Sequence, residues 1–134
     1  MFLNQLTAVE KEAFISLSVQ AAKANGILAT EEYAMIEEYC REMGIPSFDT
    51  ENIKSMDKIV EVFQKSSERN KKIALLEILG LVFSDGEYDT QEKTFIYDYA
   101  KKIGLTETDV LQQTELIKKY LTVLKDITKA IDGR

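Results

Sequence analysis

The stretch ANGILATEEYAMIEEYCREMGI (residues 24–45) decides the fold, because it recurs 60 residues later as SDGEYDTQEKTFIYDYAKKIGL (residues 84–105). The two segments align without a gap and share six identities and five conservative pairs over 22 positions. The identical pairs are Gly26/Gly86, Thr30/Thr90, Glu32/Glu92, Ile36/Ile96, Tyr39/Tyr99 and Gly44/Gly104. Two units are too few for a solenoid, which needs about three or more. The repeat therefore predicts one domain made of two similar halves.

Apolar residues recur with helical spacing along the whole chain, and no stretch alternates with the period of a strand. Residues 73–83 are apolar on nearly all sides, which is typical of a central helix buried by its neighbours. A long last helix is predicted to begin at Thr106, with an apolar stripe formed by Val110, Ile117, Leu121, Leu124 and Ile131. We expect an all-α, single-domain bundle of six or seven helices over residues 1–134. Its two helix-loop-helix halves are predicted at about residues 10–45 and 70–105.

Composition excludes several classes of function. The formal net charge of −6, from 23 acidic and 17 basic residues, argues against a nucleic-acid-binding domain. The chain has no histidine, so Ser-His and Cys-His nucleophile pairs and histidine-based zinc motifs are absent. The single cysteine, Cys40, allows no intrachain disulfide and is expected to pack in the core, so a cytoplasmic location is the default expectation. The apolar run at residues 73–83 is too short to cross a bilayer, which takes ~20 residues, so we expect no transmembrane segment.

An acidic loop in the second repeat is a candidate cation site. Asp85, Glu87, Asp89 and Glu92 fall within eight residues, with no basic side chain among them. Without His or Cys, a bound ion would be a hard one held by oxygen atoms, meaning calcium, magnesium or manganese. The first and third ligand positions of an EF-hand would fall on Leu81 and Phe83, which cannot coordinate an ion. A site is therefore expected only if the two repeats meet and add Glu31, Glu32 and the Asn25 carbonyl.

Helix capping explains much of the same pattern without an ion. Asp89, with Glu92 three residues on, has the spacing of a capping box, and Thr30 and Thr90 are alternative caps. Gly26 and Gly86 each follow a helix and precede a new one, so both are expected to have positive φ. Capping accounts only partly for Asp85 and not for Glu87. Capping alone, and capping combined with a weak divalent site, both remain open.

Glu77 interrupts the apolar run of the predicted central helix. A buried carboxylate without a partner is costly. We therefore expect Glu77 to emerge at a narrow exposed strip of that helix or to hydrogen-bond a neighbouring tyrosine.

The phrases LLEILGLVFSDGEYDTQEK and EEYAMIEEYCREMGI resemble the tellurite-resistance TerB family and its TerB-like relatives. The resemblance covers about residues 8–105. It implies an all-helical fold of two similar halves, in a cytoplasmic bacterial or phage-related protein linked to metal stress or phage defence. It also implies that acidic residues hold a divalent cation, here Asp85 and Glu92 in the second half and Glu32 in the first. Asn25 stands where an aspartate is expected, which removes one charge from the first loop.

Two functions from different classes follow from these observations. The first is a non-enzymatic interaction module that docks protein partners, which the sequence does not identify. The alternative is a metal-dependent hydrolase that uses the carboxylates of Asp85 and Glu92. Only carboxylates and Tyr88 lie near that loop as general acids or bases, so the sequence favours the module. A deep polar cleft over Asp85 and Glu92 would favour the hydrolase.

Overall fold

The computed structural model describes residues 1–24, 26, 28–84 and 88–133, and all regular structure in these residues is helical. A short 3₁₀ helix, Leu3–Gln5, precedes six α-helices. These are α1 (Ala8–Ala22), α2 (Thr30–Met43), α3 (Met56–Gln64), α4 (Glu68–Val82), α5 (Thr90–Lys102) and α6 (Glu107–Asp132). The predicted all-α class is confirmed. No helix in the described ranges is both long and apolar enough to cross a membrane.

Helix α4 is the centre of the bundle. It contacts the 3₁₀ helix and each of the other five α-helices. Leu75, Ile78 and Leu79 are fully buried, and so is Gly80, where the side chains of Met35, Tyr39 and Ile117 approach from α2 and α6. The expectation of a central helix at residues 73–83 is correct, because its neighbours cover it on every side.

Capping side chains begin the helices and glycines end them at the positions that the sequence predicts. Thr106 accepts a hydrogen bond from the Asp109 amide and begins α6. Gly44 and Gly104 follow α2 and α5 with φ of +73° and +88°, the left-handed conformation that stops a helix. Gly26 also has positive φ, as predicted, whereas Gly86 lies outside the described residues.

The matching helices of the two halves begin at a constant offset. Helix α1 begins at residue 8 and ends at 22, and α4 begins at 68 and ends at 82. Helices α2 and α5 begin at residues 30 and 90. The offset of 60 residues is the same as that of the sequence repeat. Superposition of the two halves in space stays a prediction.

Glu77 lies in a different environment from the one its sequence predicts. Its side chain is only 4% exposed, so it does not emerge at an exposed strip. Tyr39 does donate a hydrogen bond to residue 77, but to the main-chain carbonyl, at 2.9 Å. The carboxylate accepts instead from the Phe2 amide at 2.7 Å and from the Met1 amino group at 2.9 Å. Glu42 binds the Leu3 amide at 2.8 Å, so two carboxylates hold the N-terminal segment against α2 and α4.

A second buried carboxylate, Glu10, joins the two halves. It accepts hydrogen bonds from the Thr7 amide at 2.8 Å, the Asn70 side chain at 2.8 Å and the Ser66 hydroxyl at 2.5 Å. Burial alone would raise the pKa of Glu10, but the hydrogen bonds from Ser66, Thr7 and Asn70 outweigh it and hold the pKa below its ordinary value. Because the folded pKa is the lower one, Glu10 stabilises the fold above the unfolded pKa. That stability is lost as the pH falls through the folded pKa.

We expect Glu10→Gln to lower the free energy of unfolding by roughly 2 kcal/mol near neutral pH, because an amide loses the charge-assisted bonds. The variant should also lose less stability than the wild type between pH 5 and pH 3. Urea denaturation at several pH values measures both effects. Glu12→Gln, at an exposed position of the same helix, is the control and should match the wild type. Equal pH dependence in wild type and Glu10→Gln would contradict this account.

Candidate functional site

The start of α5 is a complete capping box. Asp89 Oδ1 accepts a hydrogen bond from the Glu92 amide at 2.8 Å, and Glu92 Oε1 accepts one from the Asp89 amide at 3.2 Å. The spacing of the two residues predicts this geometry, and the prediction is confirmed. Thr90 is the first helical residue rather than the cap. The reason is that the Asp89 side chain reaches the N3 amide, so a threonine cap one residue later is not needed.

The start of α2 has half of the same arrangement. Glu32 Oε1 accepts a hydrogen bond from the Ala29 amide at 3.2 Å, which matches the role of Glu92. The cap position is held by Ala29, whose methyl group cannot accept a hydrogen bond. Thr30 is again the first helical residue and not the cap. The first loop therefore lacks both the Asp89 carboxylate and, at Asn25, the charge of Asp85.

Glu32 and Glu92 are the most deeply buried carboxylates among the described residues, at 1% exposure each. Both lie in the first turn of a helix, where the helix dipole favours a negative charge. Glu32, Asp89 and Glu92 each have an interaction within the protein beyond these capping bonds. Their present geometry is therefore that of structural groups at helix N-termini.

Two of the five predicted cation ligands, Asp85 and Asn25, lie outside the described residues. The other three are Asp89, Glu92 and Glu32. Asp89 and Glu92 are joined by their two hydrogen bonds, whereas Glu32 is placed at the start of a different helix. Within residues 1–24, 26, 28–84 and 88–133, no group of three or more acidic or cysteine side chains is arranged to hold a metal ion.

Tyr88 is the candidate general acid or base beside the acidic loop that is not a carboxylate. Its ring packs against Phe83 with the ring centroids 4.4 Å apart. Burial, with smaller contributions from Tyr97 and Glu92, raises the pKa of Tyr88 to about 12. The phenol therefore stays protonated near neutral pH and is poorly suited to act as a base. Sequence analysis did not predict the contact with Phe83, since it depends on the conformation of the loop between them.

A cavity of about 770 Å³ lies between α5 and the start of α6. Its apolar side is formed by Tyr97, Leu105 and Val110, and its polar rim includes Lys93, Asp98 and Lys101. Neither Asp89 nor Glu92 lines it. For these two described ligands, the cavity is therefore not an overlying cleft.

We expect Asp89→Ala to lower the free energy of unfolding by about 1 kcal/mol, because the Glu92 amide loses its hydrogen-bond acceptor. Chemical denaturation in a metal-free buffer is the measurement. Asp98→Ala is the matched control, since Asp98 is an exposed residue of the same helix whose ion pair with Lys102 should contribute less than ~0.5 kcal/mol. Equal losses in the two variants would reject the capping role of Asp89.

Comparisons with known proteins show the family and the fold. The profile of the family described as tellurite resistance protein TerB matches residues 11–114. Among solved structures, a tellurite resistance protein from Nostoc punctiforme PCC 73102 is similar, with a TM-score of 0.70 and 17% sequence identity. The match covers 92% of this chain and 81% of that one. At this identity the likeness shows the fold alone. No curated protein matches the chain significantly.

Proposed function

Because the chain belongs to the TerB family, we propose that it is a non-enzymatic interaction module that docks protein partners. The proposal rests on how the acidic side chains are used in the described part of the chain. Asp89, Glu92 and Glu32 are engaged in helix capping, and the cavity beside α5 does not reach the first two. A scaffold needs stable helices with exposed faces, and this arrangement supplies them.

A metal-dependent hydrolase is the alternative that the residues leave open. Such an enzyme needs an ion with open coordination positions and a general acid or base close to it. The raised pKa of Tyr88 to about 12 speaks against that residue as the base. The test is hydrolysis of a phosphate ester or a carboxylic ester in the presence of a divalent metal ion. If the wild type hydrolyses such an ester and both Asp85→Asn and Glu92→Gln lose this activity, the protein is a hydrolase and the module proposal is wrong.

The family and the named neighbour supply the physiological context of the proposal. The neighbour is described as a tellurite resistance protein, and we extend a role in tellurite or related stress to this chain. In the native host, deletion of the gene should increase sensitivity to tellurite, and the wild-type gene should restore resistance. A variant without hydrolytic ligands, Asp85→Asn with Glu92→Gln, should also restore resistance if it folds. Failure of the folded double variant, together with metal-dependent hydrolysis by the wild type, would contradict a non-enzymatic role.

We further propose a weak divalent-cation site formed by Asp85 and Glu92, with Asp89, Glu32 and Asn25 as additional ligands. The support is electrostatic, because four carboxylates fall within eight residues of the sequence and a cation relieves their mutual repulsion. Glu92 and Glu32 are also preorganised, since packing and capping bonds hold both side chains at the edge of the two loops. With Asn25 in place of an acid, we expect a dissociation constant of ~10⁻⁴–10⁻³ M.

Calcium at about one hundred times the dissociation constant should raise the free energy of unfolding by ~2.7 kcal/mol. The melting temperature, measured by circular dichroism with calcium, magnesium or manganese, reports this shift. Asp85→Asn should abolish the shift and barely change the stability of the metal-free protein, whereas Asp98→Asn should retain it. If none of the three ions changes the melting temperature, the cation site is rejected and the loop has only a capping role.

A further inference from the structure

Helix α6 carries most of the exposed apolar surface of the described chain. Eleven large apolar side chains are exposed, and seven of them belong to α6. Val110 and Ile117 are buried against the bundle, but every described residue after Leu121 is exposed. The sequence places Leu124 and Ile131 in the apolar stripe of the last helix, and the structure leaves both outside the bundle core, at 44% and 77% exposure. The last three turns of α6 project beyond the helices that would cover them.

The exposed residues form an ordered stripe, which we call the α6 stripe and define as Leu116, Tyr120, Val123 and Ile127. Their successive spacings of four, three and four residues are those of a heptad seam. The four side chains are between 42% and 54% exposed. Leu124 and Ile131 extend the stripe on the side that faces the bundle. A surface with this spacing fits another helix.

We propose that the α6 stripe binds the same stripe of a second copy of this chain, with the two α6 helices antiparallel. In this register Leu116 packs against the partner's Ile127, and Tyr120 packs against the partner's Val123. The same pairs recur on the other side of the twofold axis, so four layers form from four residues of each copy. In the same register Ile131 lies opposite the partner's Gln112.

Charge complementarity favours this occupant and this orientation. Lys119 and Asp126 are seven residues apart, so they lie on the same flank of the stripe. In the antiparallel register Lys119 faces the partner's Asp126, and Asp126 faces the partner's Lys119. The dimer thus contains two opposite-charge pairs, each between a lysine of one copy and an aspartate of the other. A parallel pairing instead places these residues opposite apolar ones, at positions such as Leu124.

The length and area of the contact agree with a reversible dimer. The antiparallel register overlaps residues 111–132 of both helices, which is about 33 Å at 1.5 Å per residue. The apolar seam itself, residues 116–127, takes up a little under two heptads of this overlap. The covered side chains amount to on the order of 1,000 Å² over both copies, at the lower end of specific interfaces. We therefore expect a dissociation constant in the micromolar range.

A membrane surface is the weaker alternative for the same stripe. Amphipathic helices that bind membranes carry an excess of basic residues on the polar face. Helix α6 has four lysines against five acidic residues, so the helix as a whole carries no net positive charge. The α6 stripe begins at Leu116, after residue 114, where the family match ends. The proposed dimer therefore does not depend on the proposed function.

Sedimentation equilibrium of the full chain from about 5 to 500 µM tests the proposal. The mass should rise from that of one chain towards twice that value. Val123→Glu with Ile127→Glu should remain monomeric at every concentration, because two charges enter the seam. Thr122→Glu is the control, since it adds one negative charge at an exposed position away from the stripe. It should dimerise like the wild type.

Reversal of the flanking charges tests the register. Lys119→Asp should raise the dissociation constant of the dimer roughly tenfold, because residue 119 of each copy then faces the partner's Asp126 with the same charge. The double variant Lys119→Asp with Asp126→Lys should recover the wild-type constant. Circular dichroism at 222 nm confirms that each variant is folded. A wild type that is monomeric throughout, with or without binding to anionic vesicles, overturns the proposal. A dimer that is indifferent to Lys119→Asp overturns the antiparallel register.

Discussion

Three carboxylates buried at the first turns of helices impose the constraint on which the rest of the bundle depends. Glu10, Glu32 and Glu92 each accept a hydrogen bond from the N-cap amide of their own helix. A buried charge is stable only when such donors surround it. Each glutamate therefore requires its helix to begin at one residue and no other, which fixes where α1, α2 and α5 start. With the starts fixed, the apolar faces of these helices are directed at α4 in a single register.

The sequence predicts local features of this fold well because they depend on spacing along the chain. The capping box of Asp89 and Glu92 and the left-handed glycines after α2 and α5 are of this kind. The partners of Glu77 are different, since the Phe2 amide is 75 residues away along the chain. No periodicity indicates that the N-terminal segment crosses α4 at that point. Long-range polar contacts of this type are decided only by the assembled bundle.

The candidate site also has one part that the sequence predicts and one part that it does not. Capping at Asp89, Glu92 and Glu32 is a one-helix property, so the spacing of acidic residues was enough to predict it for α5. Cation binding requires oxygen atoms from two loops to converge within a few ångströms, and sequence alone does not determine that distance. Helix α6 shows a related ambiguity. Its apolar period predicts a buried helix correctly over Val110 and Ile117, yet periodicity does not say whether the bundle or another molecule covers the remaining turns.

The position of α4 also bears on how the chain loses its structure. A helix that touches the 3₁₀ helix and all five other α-helices cannot separate from one of them without disturbing the packing of the rest. Partial opening of the bundle is then expensive, and most of the core is lost together in one cooperative step. The projecting turns of α6 have no such coupling. In the isolated chain their backbone amides should exchange with solvent by local fraying, while those of α4 exchange only when the whole bundle opens.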